Sequence, residues 1–137
     1  MNVLSFAFNT INVSKKDTPK GKIGISNNIH IDKLEDAKVS VDKENSTVRV
    51  TFSYESEYTP DYAKLLLKGT MILLIKADEA KKMMNNWKKD KKLDKDAGSF
   101  ILNSITSRCT VQAVISARDL GLPPPIPLPR VGTKPKK

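Results

Sequence analysis

The sequence holds one cysteine, one histidine and one tryptophan among 137 residues, and each scarcity removes a class of protein. A single thiol, Cys109, cannot build a disulfide framework or a cysteine-based zinc site within one chain, and it suits a reducing compartment such as the cytoplasm. It falls inside a helical pattern, which marks a buried structural thiol rather than a nucleophile. His30, the lone histidine, points away from the isoleucines around it, and no Ser/His/Asp or Cys/His set can be assembled about it. A phosphate-binding glycine loop and a metal-ligand cluster are also missing. Asp90, Asp94 and Asp96 stand close together, but among lysines that oppose a cation. The chain therefore reads as non-enzymatic, with no catalytic, metal or cofactor residues. Apolar runs are short as well. None approaches the roughly 20 residues of a membrane-spanning helix, so no integral membrane association is expected. The opening MNVLSFAFNTINV lacks the basic lead and long apolar core of a signal peptide.

Positive charge, by contrast, is abundant. Lys and Arg number 24 against 15 acids, a net charge of +9 and an isoelectric point near 9.7. Hydrophobic residues at 39% and charged residues at 28% fit one soluble globular domain. The basic excess favours polyanionic partners, with nucleic acid, RNA of the ribosome included, first and an anionic membrane surface second. Seven lysines fall within fifteen residues: Lys81, Lys82, Lys88, Lys89, Lys91, Lys92 and Lys95. With Arg130, Lys134, Lys136 and Lys137 of the tail, they are the candidate nucleic-acid contacts, neutralising phosphates without reading bases. A solvated helix face explains the same lysines equally well. Trp87 shares its spacing with Met83 and Met84, which argues for core packing over base stacking.

Periodicity supplies the elements. Val3–Val13 reads as a strand in which Leu4, Phe6 and Phe8 share one face and Ile11 and Val13 the other, a parity change that a bulge would produce. Ile23, Ile25, Ile29 and Ile31 predict a half-buried strand, broken or bulged near Asn27–Asn28. Val39 and Val41 suggest a further short segment. Thr47–Tyr58 alternates most cleanly, with Val48, Val50, Phe52, Tyr54 and Tyr58 on one side, so one face of the sheet is wet. Ala63–Ala77 points Leu65, Leu67, Met71, Leu73 and Ile75 inward, while Leu66, Ile72 and Leu74 make a second apolar surface, unless a bulge at Gly69 switches the parity. That surface suits a subunit interface, so a homo-oligomer is expected. Asp78 is the expected N-cap of a short helix, and Asp94 or Asp96 that of a long one.

The long helix carries Ile101, Leu102, Ile105, Cys109, Ala113 and Leu120 on one stripe, broadened by Val111, Val114 and Ile115. Such breadth fits a helix between two layers or at an oligomer interface. Gly121 stops it, and five of the next eight residues are proline. Leu122–Pro129 must then be extended. Its PxxP spacing resembles a groove ligand, yet its closeness to the helix favours a strap that packs Ile126 and Leu128 back onto the domain. Residues 1–131 are expected to form a single α+β domain, and residues 132–137 a basic tail. The expected fold is an antiparallel sheet of about four to five strands with one short and one long helix on one face.

Strands Val3–Ala77 followed by ILNSITSRCTVQAVISARDLGLPPPIPLPRV resemble the layout of the SecB family of export chaperones. That resemblance implies a four-stranded sheet, dimers or tetramers, and apolar grooves for unfolded or nascent polypeptide. Phe6, Phe8, Phe52, Tyr54, Ile126 and Leu128 are the candidate polypeptide contacts. The chain departs from the family in its basicity, in the lysine-rich helix and in lacking a second C-terminal helix. The first departure puts docking to the usual translocation motor in doubt and points instead to ribosomal RNA.

Overall fold

The computed structural model describes residues 1–16, 21–39 and 42–125. The last six residues of the expected domain, the strap beyond Pro125 and the basic tail lie outside the described residues. Four strands, β1 (Asn2–Lys15), β2 (Gly24–Asp36), β3 (Asn45–Thr59) and β4 (Ala63–Lys76), form one antiparallel sheet in the order β1-β4-β3-β2. Helices α1 (Ala77–Asp90) and α2 (Lys95–Asp119) follow and share one core with a single face of that sheet. The architecture is the expected α+β layering. No strand forms at Val39, which instead tucks its backbone against Thr47: its N–H donates to Oγ1, and its carbonyl accepts from the same hydroxyl, both at 3.2 Å. Val41 lies outside the described residues.

The sheet is dry where the alternation is cleanest. Val50 pairs with Met71, Phe52 with Gly69 and Tyr54 with Leu67, and each pair shares the helix-bearing face. No bulge occurs at Gly69. β4 keeps its parity, so Leu66, Ile72 and Leu74 remain on the opposite face, half-buried.

Bulges lie in the two edge strands. In β1 one shift falls between Val3 and Ser5 and a second between Phe8 and Thr10. The second returns Ile11 and Val13 to the inner face opposite Leu67 and Leu65, as the parity change required. The first expels Leu4 from the face of Phe6 and Phe8 and substitutes Val3, because Val3 is the residue opposing Leu73. In β2 the irregularity sits between Ile31 and Lys33 rather than at Asn27–Asn28. Ile25, Asn27, Ile29 and Ile31 keep an unbroken period of two, with Asn27 as a polar member of the inner row.

α1 turns Ala80 and Met83 into the core, with Met84 and Trp87 half-buried beside them. Its N-cap is Lys76 rather than Asp78, and it makes no side-chain cap bond. Asp78 sits in the first turn, where its carboxylate accepts from the N–H of Glu79 and faces the positive end of the helix dipole. Asp94 caps α2 and accepts from the N–H of Ala97 at 2.7 Å. A stripe of Ala97, Ile101, Ile105, Cys109, Ala113 and Ala117 is buried beneath the helix, while Leu102, Val111 and Ile115 are exposed on it. One end of α2 stands near Ile75 and Met83, and the other clusters with Tyr58, Tyr62 and Ala63. The helix thus runs back along β4, leaving the edge strands only partly covered. Gly121, at φ 66°, ends it, and the N–H of Leu122 returns to the carbonyl of Ala117.

Candidate functional site

Half-covered apolar surface lies along both edges of the inner face. On β2, Ile29 and Ile31 are half-buried and Ile25 is 39% exposed. α1 closes one end of this flank. There a cleft of about 340 Å³ opens between Asp32–Glu35 of β2 and Met84, Trp87, Lys88 and Lys91 of α1. On β1, Phe6 stacks on Phe52 at 4.9 Å between ring centroids, and Phe8 meets both rings edge-on. The Arg108 guanidinium lies 5.1 Å from the Phe6 centroid, a cation–π contact from α2 across the strand. Beyond them Ile11 faces the same side and is 51% exposed.

The six expected polypeptide contacts separate accordingly. Phe6 and Phe8 are half-buried at the β1 edge. Phe52 and Tyr54 are buried in the central strand β3, where they support the neighbouring surfaces without reaching solvent. Ile126 and Leu128 lie outside the described residues. Ile25, Ile29 and Ile31 were the better signal for an accessible flank, since their period of two runs straight through Asn27.

Asn27 holds a polar knot at the open end of that flank. Its Oδ1 accepts from the Ser56 hydroxyl at 2.5 Å, and its Nδ2 donates to the carbonyl of Pro125 at 2.7 Å. The Tyr58 hydroxyl donates to the carbonyl of Pro123, also at 2.7 Å. Leu122 and Pro125 are buried, so the start of the strap packs on the domain. Burial raises the Tyr54 hydroxyl above its ordinary range. Burial, then the neighbouring Tyr54, pushes Tyr58 up to about 12. The Cys109 thiol is likewise pushed up to about 12 by burial, which leaves it protonated and a poor nucleophile at neutral pH. His30 is exposed on the outer face, opposite Ser53.

Lys81, Lys82, Lys88, Lys89, Lys91, Lys92 and Lys95 are all exposed on α1, the turn after it and the start of α2. Among the described residues none of them pairs with a carboxylate. Lys91 ends α1 in the left-handed conformation, with its ammonium 5.5 Å from the Trp87 ring centroid. Arg130, Lys134, Lys136 and Lys137 lie outside the described residues. Among the described residues no three His, Cys, Asp or Glu side chains gather closely enough to hold a metal ion. No described helix is long and apolar enough to cross a membrane.

No protein-family model matches the chain, and no curated protein matches it in sequence. Among solved structures it is similar to a SecB-like chaperone of Mycobacterium tuberculosis, determined in complex with a ChAD peptide from the HigA1 antitoxin. The TM-score is 0.57 at 10% identity, and the match covers 94% of this chain and 89% of that one. At such identity the likeness is one of fold: nearly the whole chain is folded in the SecB-like manner.

Proposed function

We propose that this protein binds extended, unfolded segments of polypeptide and leaves them chemically unchanged, as a chaperone-like module on a SecB-like fold. The observation that carries this reading is the apolar surface left half-covered beside both sheet edges. Ile25, Ile29 and Ile31 lie along one, and Phe6, Phe8 and Ile11 along the other. An edge strand presents unpaired backbone groups, and apolar side chains on its inner face add pockets for alternate residues of a client. The similar chaperone was solved with a peptide bound, which supports a polypeptide partner here. Self-association belongs to the same reading: Val111, 60% exposed, and Ile115 one turn on give α2 an uncovered apolar side.

The test is titration of the full chain with a labelled, permanently unfolded protein, such as a reduced and carboxymethylated one, by fluorescence anisotropy. Ile25→Asp and Ile11→Asp place a charge on each flank at positions exposed enough to leave the fold intact. At least one should weaken binding tenfold or more. No binding at tens of micromolar protein, or binding that ignores both substitutions, would sink the proposal.

A second reading concerns RNA and the ribosome. The exposed lysines of α1 and its turn, which make no ion pair among the described residues, favour it, because each can neutralise a phosphate and release a counterion. Co-sedimentation with ribosomes should then fall steeply with salt, and replacing Lys88, Lys89, Lys91 and Lys92 with Gln should flatten that dependence. Unchanged sedimentation after the replacement would remove the lysines from consideration.

A further inference from the structure

The cleft at the end of the β2 flank differs from the rest of that flank in its charge. On α1, Met84, Trp87, Lys88 and Lys91 recur at intervals of three and four, so they share the helix face that borders β2. Met84 and Trp87 are half-buried and, with buried Leu34, make an apolar floor, while Lys88 and Lys91 stand exposed at the rim. The β2 wall holds two acids, yet neither answers these lysines. Glu35 opposes Arg49 in the ladder, and its carboxylate lies 3.8 Å from that guanidinium on the outer face. Asp32 accepts from the Ser53 hydroxyl at 3.5 Å, again on the outer face. The charge left at the mouth of the cleft is positive. Lys91 sharpens the point. It ends α1 at φ 59°, a left-handed conformation that glycine adopts without strain and lysine does not. Glycine there would forgo the ammonium that lies 5.5 Å from the Trp87 ring centroid.

β2 supplies the other half of the site. Among the described residues it pairs only with β3, so its second edge offers unpaired backbone groups. A peptide added to that edge sets alternate side chains beside Ile29 and Ile31, and the bulge after Ile31 ends the regular edge next to the cleft. We propose that the cleft selects the clients of this flank: extended segments in which a large apolar or aromatic residue, seated on Met84 and Trp87, is flanked by aspartate or glutamate paired with Lys88 and Lys91. The proposal deepens the polypeptide-binding reading and rests on it. Two observations favour a peptide over single-stranded nucleic acid. The cleft adjoins a strand edge, which only a polypeptide backbone extends, and Lys91 already lies over the ring on which a base would stack.

Trp87 is the only tryptophan, so its emission reports on the cleft directly. The full chain is titrated with labelled peptides of alternating valine and serine that end in Glu-Phe-Glu, Lys-Phe-Lys or Glu-Ala-Glu, read by anisotropy and by Trp87 emission. The Glu-Phe-Glu peptide should bind about tenfold tighter than Lys-Phe-Lys at low salt, lose that advantage as salt rises, and shift the emission. Glu-Ala-Glu should bind more weakly than Glu-Phe-Glu at every salt concentration. Lys88→Glu/Lys91→Glu should invert the charge preference, and Lys88→Arg/Lys91→Arg should keep it. Both lysines are exposed, and circular dichroism checks that each variant is folded. Equal affinity for the acidic and basic peptides, unmoved Trp87 emission, or a preference that survives charge reversal overturns the proposal. So does a labelled oligouridylate that displaces the acidic peptide at lower concentration, since the cleft is then a nucleic-acid site. If the unfolded, carboxymethylated protein binds while the peptides show no preference, only the assignment of the cleft falls. If neither it nor any peptide binds, the polypeptide-binding reading falls as well.

Discussion

Replacing Gly69 with Ala should destabilise the fold by about 1–2 kcal/mol net, and the reason can be traced atom by atom. Gly69 lies mid-β4, between Phe8 of β1 and Phe52 of β3. An added β-carbon would overlap the carbonyl oxygen of Ala7 and come within 2.9 Å of Phe52 Cζ and 3.0 Å of Phe8 Cα. Two of the three atoms are β1 backbone, so no rotamer change relieves them; the whole edge strand must shift. Overpacking of this kind costs about 1–3 kcal/mol, and moving β1 also loosens the Phe6–Phe8–Phe52 cluster. Against this, alanine is better than glycine in a strand by about 0.5–1 kcal/mol. Urea denaturation followed by circular dichroism reads the net loss as a midpoint lower by about 0.5–1 M. Adding Phe52→Leu separates the contributions. It removes the ring contact but leaves the Ala7 carbonyl, so it should not restore the midpoint. A midpoint shifted by less than ~0.3 M, or full rescue by the leucine, would refute this account of Gly69.

Alkaline conditions should weaken the fold from about pH 9 upward. Cys109 and Tyr58 both have folded pKa values near 12, raised from 9.0 and 10.0, so between those limits the unfolded chain loses protons that the native state keeps, and stability falls as pH rises. Thermal melts between pH 7 and 11 test this, and a flat profile above pH 9 would contradict it. Removing the α2 cap by Asp94→Ala should cost about 1 kcal/mol and leave polypeptide affinity unchanged, because the cap bond runs to the N–H of Ala97 and involves no residue of either flank. Chemical denaturation and anisotropy on the same sample would expose any error in that separation.

Where one face of a strand is dry and the other wet, the sequence speaks plainly: β3 and β4 were legible almost to the residue. Edge strands were less so. The parity change in β1 announced the bulge beside Asn9, but the loss of Leu4 depended on which residue meets Leu73, a contact some seventy positions away. Asn27 looked like a break because a polar residue interrupted an apolar period. Its partners, Ser56 and Pro125, are distant in sequence and supply the hydrogen bonds that let it stay in the inner row. Phe52 and Tyr54 looked available for binding for a related reason. Nothing local says that β3 is central, and only the order β1-β4-β3-β2 buries its aromatic residues while leaving isoleucines at the rim.

That strand order also has a consequence in time. β2, β3 and β4 pair with their sequence neighbours, but among the described residues β1 pairs only with β4. A ribosome therefore makes β1 well ahead of its partner β4, and at roughly 5–20 residues per second the wait is several seconds. During that interval Val3, Phe6 and Phe8 have no sheet to lie on. The meander β2-β3-β4 needs only neighbouring strands to close, whereas β1 must meet the higher entropic cost of a long-range pairing. A nascent chain of this protein thus passes through the very state that the proposed function assigns to its clients: an extended apolar segment waiting for an edge.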